Sequence, residues 1–141
     1  MINLSYAFHI TKAVLPLMLE TDWGRIINIF SAHGLVAFPF KSAYVTAKHG
    51  IMGLTKTTAL ERAQQNIMCN PICLGYVMTS LVYKRVTDTA VARGTSEQQV
   101  KTGVMLKAQW TKKFVEIEEI AGTVFFMLTQ RTKYYRYQYQ C

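Results

Sequence analysis

Apolar residues recur at helical spacing from residue 3 to residue 20, with Pro16 as an interior breaker, and this pattern predicts a helix. Asp22, Trp23 and Gly24 then make a turn. The run RIINIF at residues 25–30 is continuously apolar except for its flanking Arg25 and its Asn28, and predicts a strand buried on both faces. A loop over residues 31–41 contains Gly34 and Pro39. A long helix follows over residues 42–64, with the Ser42 hydroxyl expected to cap its first turn. A second buried strand is expected at residues 66–72 and a turn at Leu74 and Gly75. A short helix should follow at 79–90, a polar, partly helical stretch at 94–112, and a last helix at 116–128 that is acidic at its start. Strands alternating with helices predict an α/β class with a doubly wound, Rossmann-like parallel sheet, of which only two strands are visible.

Composition narrows the class. Half of the 141 residues are hydrophobic, which excludes disorder. No apolar run reaches the roughly 18 residues that predict a membrane span, and the stretch from Val14 to Leu19 is expected to be a buried helix end. The opening MINLSYAFHITK lacks a basic n-region, so the expectation is a cytoplasmic chain with reduced thiols at Cys69, Cys73 and Cys141. Cys69 and Cys73 have no second ligand pair, so no metal site is expected. The net charge of +8 raises nucleic acid as a partner, but the cations are spread along the second half without a dense stripe, and the expectation is no nucleic acid and no membrane.

The candidate chemistry is concentrated in a short stretch. Tyr44 and Lys48, four residues apart, share one helix face. A lysine ammonium beside a phenol favours the phenolate, which makes tyrosine a usable proton donor and acceptor near neutral pH. Ser31 follows the strand RIINIF and so stands at its carboxyl end, where open α/β sheets place ligands. A lone YxxxK is a weak signal. Strand, serine, a loop with Gly34 and then YxxxK is a specific combination.

That combination resembles the short-chain dehydrogenase/reductase family, over nearly all of the chain from Asn3 to Leu128. The resemblance implies that Tyr44 is the general acid/base, that Ser31 polarises the substrate oxygen, and that Lys48 holds the nicotinamide ribose beside Tyr44. It further implies that Asn3 holds a proton-relay water. The stretches NLSYAFHITKAVLPLM, WGRIINIFSAHGLVAF, KSAYVTAKHGIMGLTK and LERAQQNIMCNPIC are similar to the branch that oxidises D-3-hydroxybutyrate. In that branch His33 and Lys41 would bind the carboxylate of a small 3-hydroxy acid. The resemblance also implies NAD as cofactor, met by Gly75, Val77 and Thr79 as well as Tyr44 and Lys48, and a homo-oligomeric assembly. His9 and His49 have structural readings instead.

The chain also departs from the family. It carries no glycine-rich turn to seat a pyrophosphate on a helix N-terminus. The resemblance therefore implies the catalytic half alone, in residues 1–128, lacking the first strands and the last. Leu74 stands where the family has proline, and Tyr76 and Arg85 stand where the branch has tryptophan and glutamine. The alternative reading is a non-enzymatic remnant of a decayed gene. The tail from residue 129, TQRTKYYRYQYQC, replaces the family's ITG-type turn. Codons for YYRYQYQC can be chosen so that a reading one base later gives ITGTNIN, which predicts a frameshift near residues 128–131. Sequencing the gene tests this: the alternative frame should carry ITG-like codons there, and their absence removes the frameshift.

Overall fold

Residues 2–129 are described by the computed structural model; the tail expected to be out of frame lies, beyond Thr129, outside the described residues. The chain divides into two units, Met1–Cys73 with Phe126–Cys141, and Leu74–Phe125.

In the first unit, helix α1 (Ile2–Glu20) runs into strand β1 (Gly24–Ser31), a single 3₁₀ turn (Ala32–Gly34), helix α2 (Ser42–Glu61) and strand β2 (Ile67–Leu74). The two strands form a parallel sheet, with α2 as the crossover. The strand entrances are tied together by two residues in left-handed backbone, Asp22 (φ 46°) and Asn66 (φ 49°), a conformation that Asp and Asn tolerate better than most. The Asn66 side-chain amide donates to the Asp22 carbonyl at 2.9 Å, and Arg25 donates to the Asn66 carbonyl at 2.8 Å. Pro71 lies inside β2, which a strand with an open edge accommodates.

Strand alternation puts Phe30 and Asn28 on the face covered by helices. Phe30 packs with Ile51 and Met52 of α2, and Leu4 and Ala7 of α1 join them, so both helices cover the same face. One step along the strand, the Asn28 amide donates to Thr55 Oγ1 at 2.8 Å, and the Thr55 hydroxyl donates to the Ile51 carbonyl at 2.9 Å. Thr55 is fully buried, and this pairing is what a buried hydroxyl and amide require. Cys69 lies beside them on β2, and burial, partly opposed by its hydrogen bond with Thr55, pushes its thiol up to about 12. Beside α1 lies a cleft of ≈ 520 Å³, lined by that helix, by residues 25–29 of β1 and by Lys48 and Ile51 of α2.

The second unit holds α3 (Ser80–Arg93), the single-turn α4 (Glu97–Val100), a π-helical turn (Lys101–Met105) and most of α5 (Ile117–Thr129). Its core is Val86, Ala90, Val100 and Met105, with Val82 and Phe114 packed against it. Thr79 caps α3 by accepting from the Val82 amide, and Gly94 ends it at φ 58°, the left-handed cap that glycine provides. Ser96 and Gln99 form a reciprocal capping box on α4.

Most elements lie where the hydrophobic pattern places them, and several details differ. β2 runs through Leu74, so that residue is strand rather than turn. Gly24 is already the first strand residue rather than part of the turn. Ser42 does not cap α2: Phe40 enters at φ 61°, Lys41 becomes the cap residue with no side-chain hydrogen bond, and Ser42 is the first helical position. Helix α2 stops at Glu61 because Arg62 leaves helical geometry at φ −112°. Of the stretch expected to be a buried helix end, Val14, Leu15 and Met18 are half-buried while Pro16, Leu17 and Leu19 are exposed, since one side of α1 borders the cleft. By length and composition α1 is long and apolar enough to cross a membrane, as core helices of soluble proteins also are.

β2 is buried at Ile67, Met68, Cys69 and Asn70, but β1 leaves Ile29 48% exposed. Among the described residues β1 pairs with β2 alone, so each strand keeps an open edge beside apolar side chains. The isolated chain is expected to self-associate or to lack fixed packing, with dye binding to exposed apolar surface and broad elution on gel filtration. Ile29→Lys should raise the monomeric fraction several-fold. A monodisperse monomer with a sharp thermal transition in the unaltered chain would count against this.

Candidate active site

Ser31 ends β1 in extended backbone (φ −125°, ψ 154°), and its hydroxyl accepts the His33 amide at 3.3 Å, turning the chain into the 3₁₀ turn. Gly34 then lets that turn press against α2. A Cβ at Gly34 would stand 3.1 Å from the Phe30 ring and 3.4 Å from the Lys48 carbonyl, closer than side chains ordinarily pack. The strand end is thereby seated on the turn of α2 that carries Lys48, one turn after Tyr44.

His33 is the centre of the cluster. Its ring lies 4.7 Å from the Phe38 ring and 6.1 Å, edge to face, from the Tyr44 ring. The Lys48 ammonium stands 5.7 Å from the centre of the Tyr44 ring, and the Lys41 ammonium 4.8 Å from the Phe38 ring. Tyr44 is 39% exposed, so a ligand can reach it. Burial, and secondly the Lys41 charge, hold His33 below its ordinary 6.5. Its Nδ1 is buried without a hydrogen-bond partner, and a buried polar atom of this kind is satisfied when a donor or acceptor arrives.

Ser31, His33, Lys41, Tyr44 and Lys48 are therefore joined by a continuous chain of contacts. Asn3 sits apart from that chain of contacts, near the start of α1, and with Lys48 lines the cleft beside β1. Gly75, Val77 and Thr79 belong to the second unit. There Val77 pairs with Val115 in a parallel bridge, Thr79 spends its hydroxyl on the α3 cap, and Gly75 lies against the Gln109 amide, which a Cβ would meet at 2.7 Å. Phe38 was missed by the sequence reading. Its signal was the apolar loop LVAFPF, too rich in exposed aromatics for a simple connection. Phe40, fully exposed at φ 61°, is a bulky residue in strained backbone at the same loop's end. His49 Nδ1 faces the Val45 carbonyl of its own helix at 3.0 Å and takes no part in the cluster. Among the described residues no group of three His, Cys, Asp or Glu side chains is placed to hold a metal.

Residues 1–90 match the family model for short chain dehydrogenase. The chain is 56% identical over 126 residues to a D-beta-hydroxybutyrate dehydrogenase of Rhizobium meliloti, covering 89% of this chain and 49% of that protein. It is 47% identical over 135 residues to the Cupriavidus necator enzyme of the same name, covering 96% of this chain and 52% of the other. Among solved structures, an NAD⁺-bound xylitol dehydrogenase superposes with a TM-score of 0.77 at 33% identity, over 92% of this chain and 51% of that one. The chain thus spans about half the length of the relatives it matches.

The His33 environment has a measurable pH signature. Because the folded pKa lies below 6.5, the unfolded chain takes up this proton first. Stability is fully present above pH 6.5 and falls as pH drops from there through the folded value. Titration of His33 by NMR should give a value under 6.5. Lys41→Ala should raise it only partway, since burial is the larger cause, and Phe38→Ala should raise it further by opening the ring to water. A His33 titration at or above 6.5 would remove the buried, cation-flanked environment.

Proposed function

This chain belongs to the short chain dehydrogenase family, and from that premise we propose that it is the catalytic half of an oxidoreductase acting on D-3-hydroxybutyrate or a close 3-hydroxy acid. The observation that carries the reading is the His33-centred cluster, which joins Ser31 and Tyr44 with two cations in one exposed site. The identity to two D-beta-hydroxybutyrate dehydrogenases supports the substrate class.

In the proposed reaction the substrate hydroxyl lies between Ser31 Oγ and the Tyr44 phenolic oxygen. Ser31 donates a hydrogen bond to the substrate oxygen, and Tyr44 takes the hydroxyl proton during oxidation and returns it during reduction. Lys48 places a positive charge beside Tyr44. His33 and Lys41 bind the carboxylate, with neutral His33 offering an N–H and Lys41 its ammonium. That pairing uses the unpartnered Nδ1 of His33.

NAD, when bound to a complete fold, supplies the hydride acceptor. The residues here suit one end of it only: Tyr44, Lys48 and Asn3 suit the nicotinamide ribose and its relay, with Gly75, Val77 and Thr79 proposed for the amide. Nothing in this sequence offers the glycine-rich turn that a pyrophosphate needs. Binding of the whole dinucleotide therefore calls for a second half of the fold, from the same chain or another.

Calorimetry on the 141-residue chain should detect no NAD binding, and micromolar affinity would show that a seat exists within these residues. Mixed with a polypeptide carrying the glycine-rich half of a relative, the chain should oxidise D-3-hydroxybutyrate. Tyr44→Phe should then lower the rate by about 100-fold or more, and Lys41→Ala should raise KM more than it lowers kcat. Activity that survives Tyr44→Phe would reassign the proton to another group.

A further inference from the structure

Phe38 is 43% exposed, yet its ring touches two groups of the site. The His33 ring lies 4.7 Å away, tilted by 46°, and the Lys41 ammonium stands 4.8 Å from the ring centre. Both distances fall within the range of favourable ring–ring and cation–ring contact. Restricted backbone delivers the ring to that place. Pro39 disfavours helical geometry at Phe38 and fixes its own φ, and Phe40 turns the chain at φ 61°. Ring and lysine thereby meet just ahead of α2.

Neither contact uses a hydrogen bond. Among the described residues Lys41 makes no salt bridge, and as the cap residue of α2 it spends no side-chain hydrogen bond there. The His33 Nδ1 is likewise buried without a partner. An acidic side chain could hold the same lysine, but it would oppose the charge and compete with an arriving anion. A phenyl ring holds the ammonium through its quadrupole and carries no net charge. Fixing a long lysine side chain at the moment of binding costs conformational entropy, and the contact with Phe38 meets part of that cost beforehand. Lys48 stands against a different ring, that of Tyr44, so the two cations are held separately. We propose that Phe38 is a positioning residue, whose ring holds the His33 imidazole and the Lys41 ammonium for a substrate carboxylate while leaving their polar atoms free, and which thereby makes the site prefer a free acid to its ester. The proposal rests on the reading of His33 and Lys41 as the groups that bind the carboxylate.

NMR of the 141-residue chain, alone and mixed with a polypeptide carrying the glycine-rich half of a relative, should show the terminal methylene protons of Lys41 shifted upfield by the ring. Phe38→Leu keeps apolar bulk but removes the ring, and should abolish the shift; Phe38→Tyr should retain it. In the mixed complex Phe38→Leu should raise KM for D-3-hydroxybutyrate about fivefold, with kcat little changed. KM for the methyl ester of the same acid should stay where it was, and Phe38→Tyr should keep KM for the acid near its original value. In a Lys41→Ala background the leucine change should add little. Val36→Ala, in the same loop at a position 58% exposed, should move neither readout. A Lys41 shift that is absent from the unaltered chain, a shift that survives Phe38→Leu, or equal effects on acid and ester would each overturn the proposal. The NMR readout needs no turnover. An inactive complex in which added 3-hydroxybutyrate still moves the His33 and Lys41 signals, and moves them less after Phe38→Leu, would refute the dehydrogenase reading and leave the role of Phe38 standing. An inactive complex whose two signals ignore the acid would refute both, and an active complex whose preference for acid over ester ignores Phe38 would refute the positioning role alone.

Discussion

Everything at the candidate site depends on how the last residues of β1 are locked to α2. Asn28 is held by the Thr55 hydroxyl and Phe30 by Ile51 and Met52, so the strand cannot slide along the helix without breaking a buried hydrogen bond and opening the core. Gly34 closes the same contact from the other side, against Phe30 and the Lys48 carbonyl. Ser31 lies between these fixed points. Its place relative to Tyr44 and Lys48 is thus set by apolar packing and one polar pair, with no direct bond among the reacting groups themselves.

Local electrostatics follow from that packing. Seating the turn on α2 half-buries His33 between Phe38 and Tyr44, and the loop's return brings Lys41 near the same ring. Burial and a neighbouring cation both favour the neutral imidazole. A neutral histidine beside a lysine can donate to a carboxylate without adding a second full charge to repel that lysine. The strained Phe40 lies one residue before Lys41, so the backbone that sets the lysine's position is an uncommon one.

The sequence was most legible where one physical rule dominated. The run RIINIF and the helical spacing of Tyr44 and Lys48 each follow from one periodicity, and the strand, the helix and the shared face all appear. The loop was less legible. Whether Ser42 or Lys41 caps α2 depends on the left-handed turn at Phe40, which local preference would not assign to a phenylalanine. Phe38 against His33 is a tertiary contact with no periodicity to betray it. The exposure of α1 escaped because an apolar stripe says that something covers it, and is silent on whether that partner lies within the same stretch of chain. The roles given to Gly75, Val77 and Thr79 rest on resemblance, and their local settings, a bridge, a cap and a close amide contact, each have a structural cause of their own.

Cys69 gives this architecture a built-in clock. Its thiol is buried behind Thr55, with ionisation pushed up to about 12, whereas Cys73 is only half-buried. Alkylating reagents attack thiolates, so Cys69 can react only while the sheet has parted from α2 and water has entered. The slow labelling of one sulfur against the faster labelling of its neighbour would time how often the Asn28–Thr55 latch comes undone.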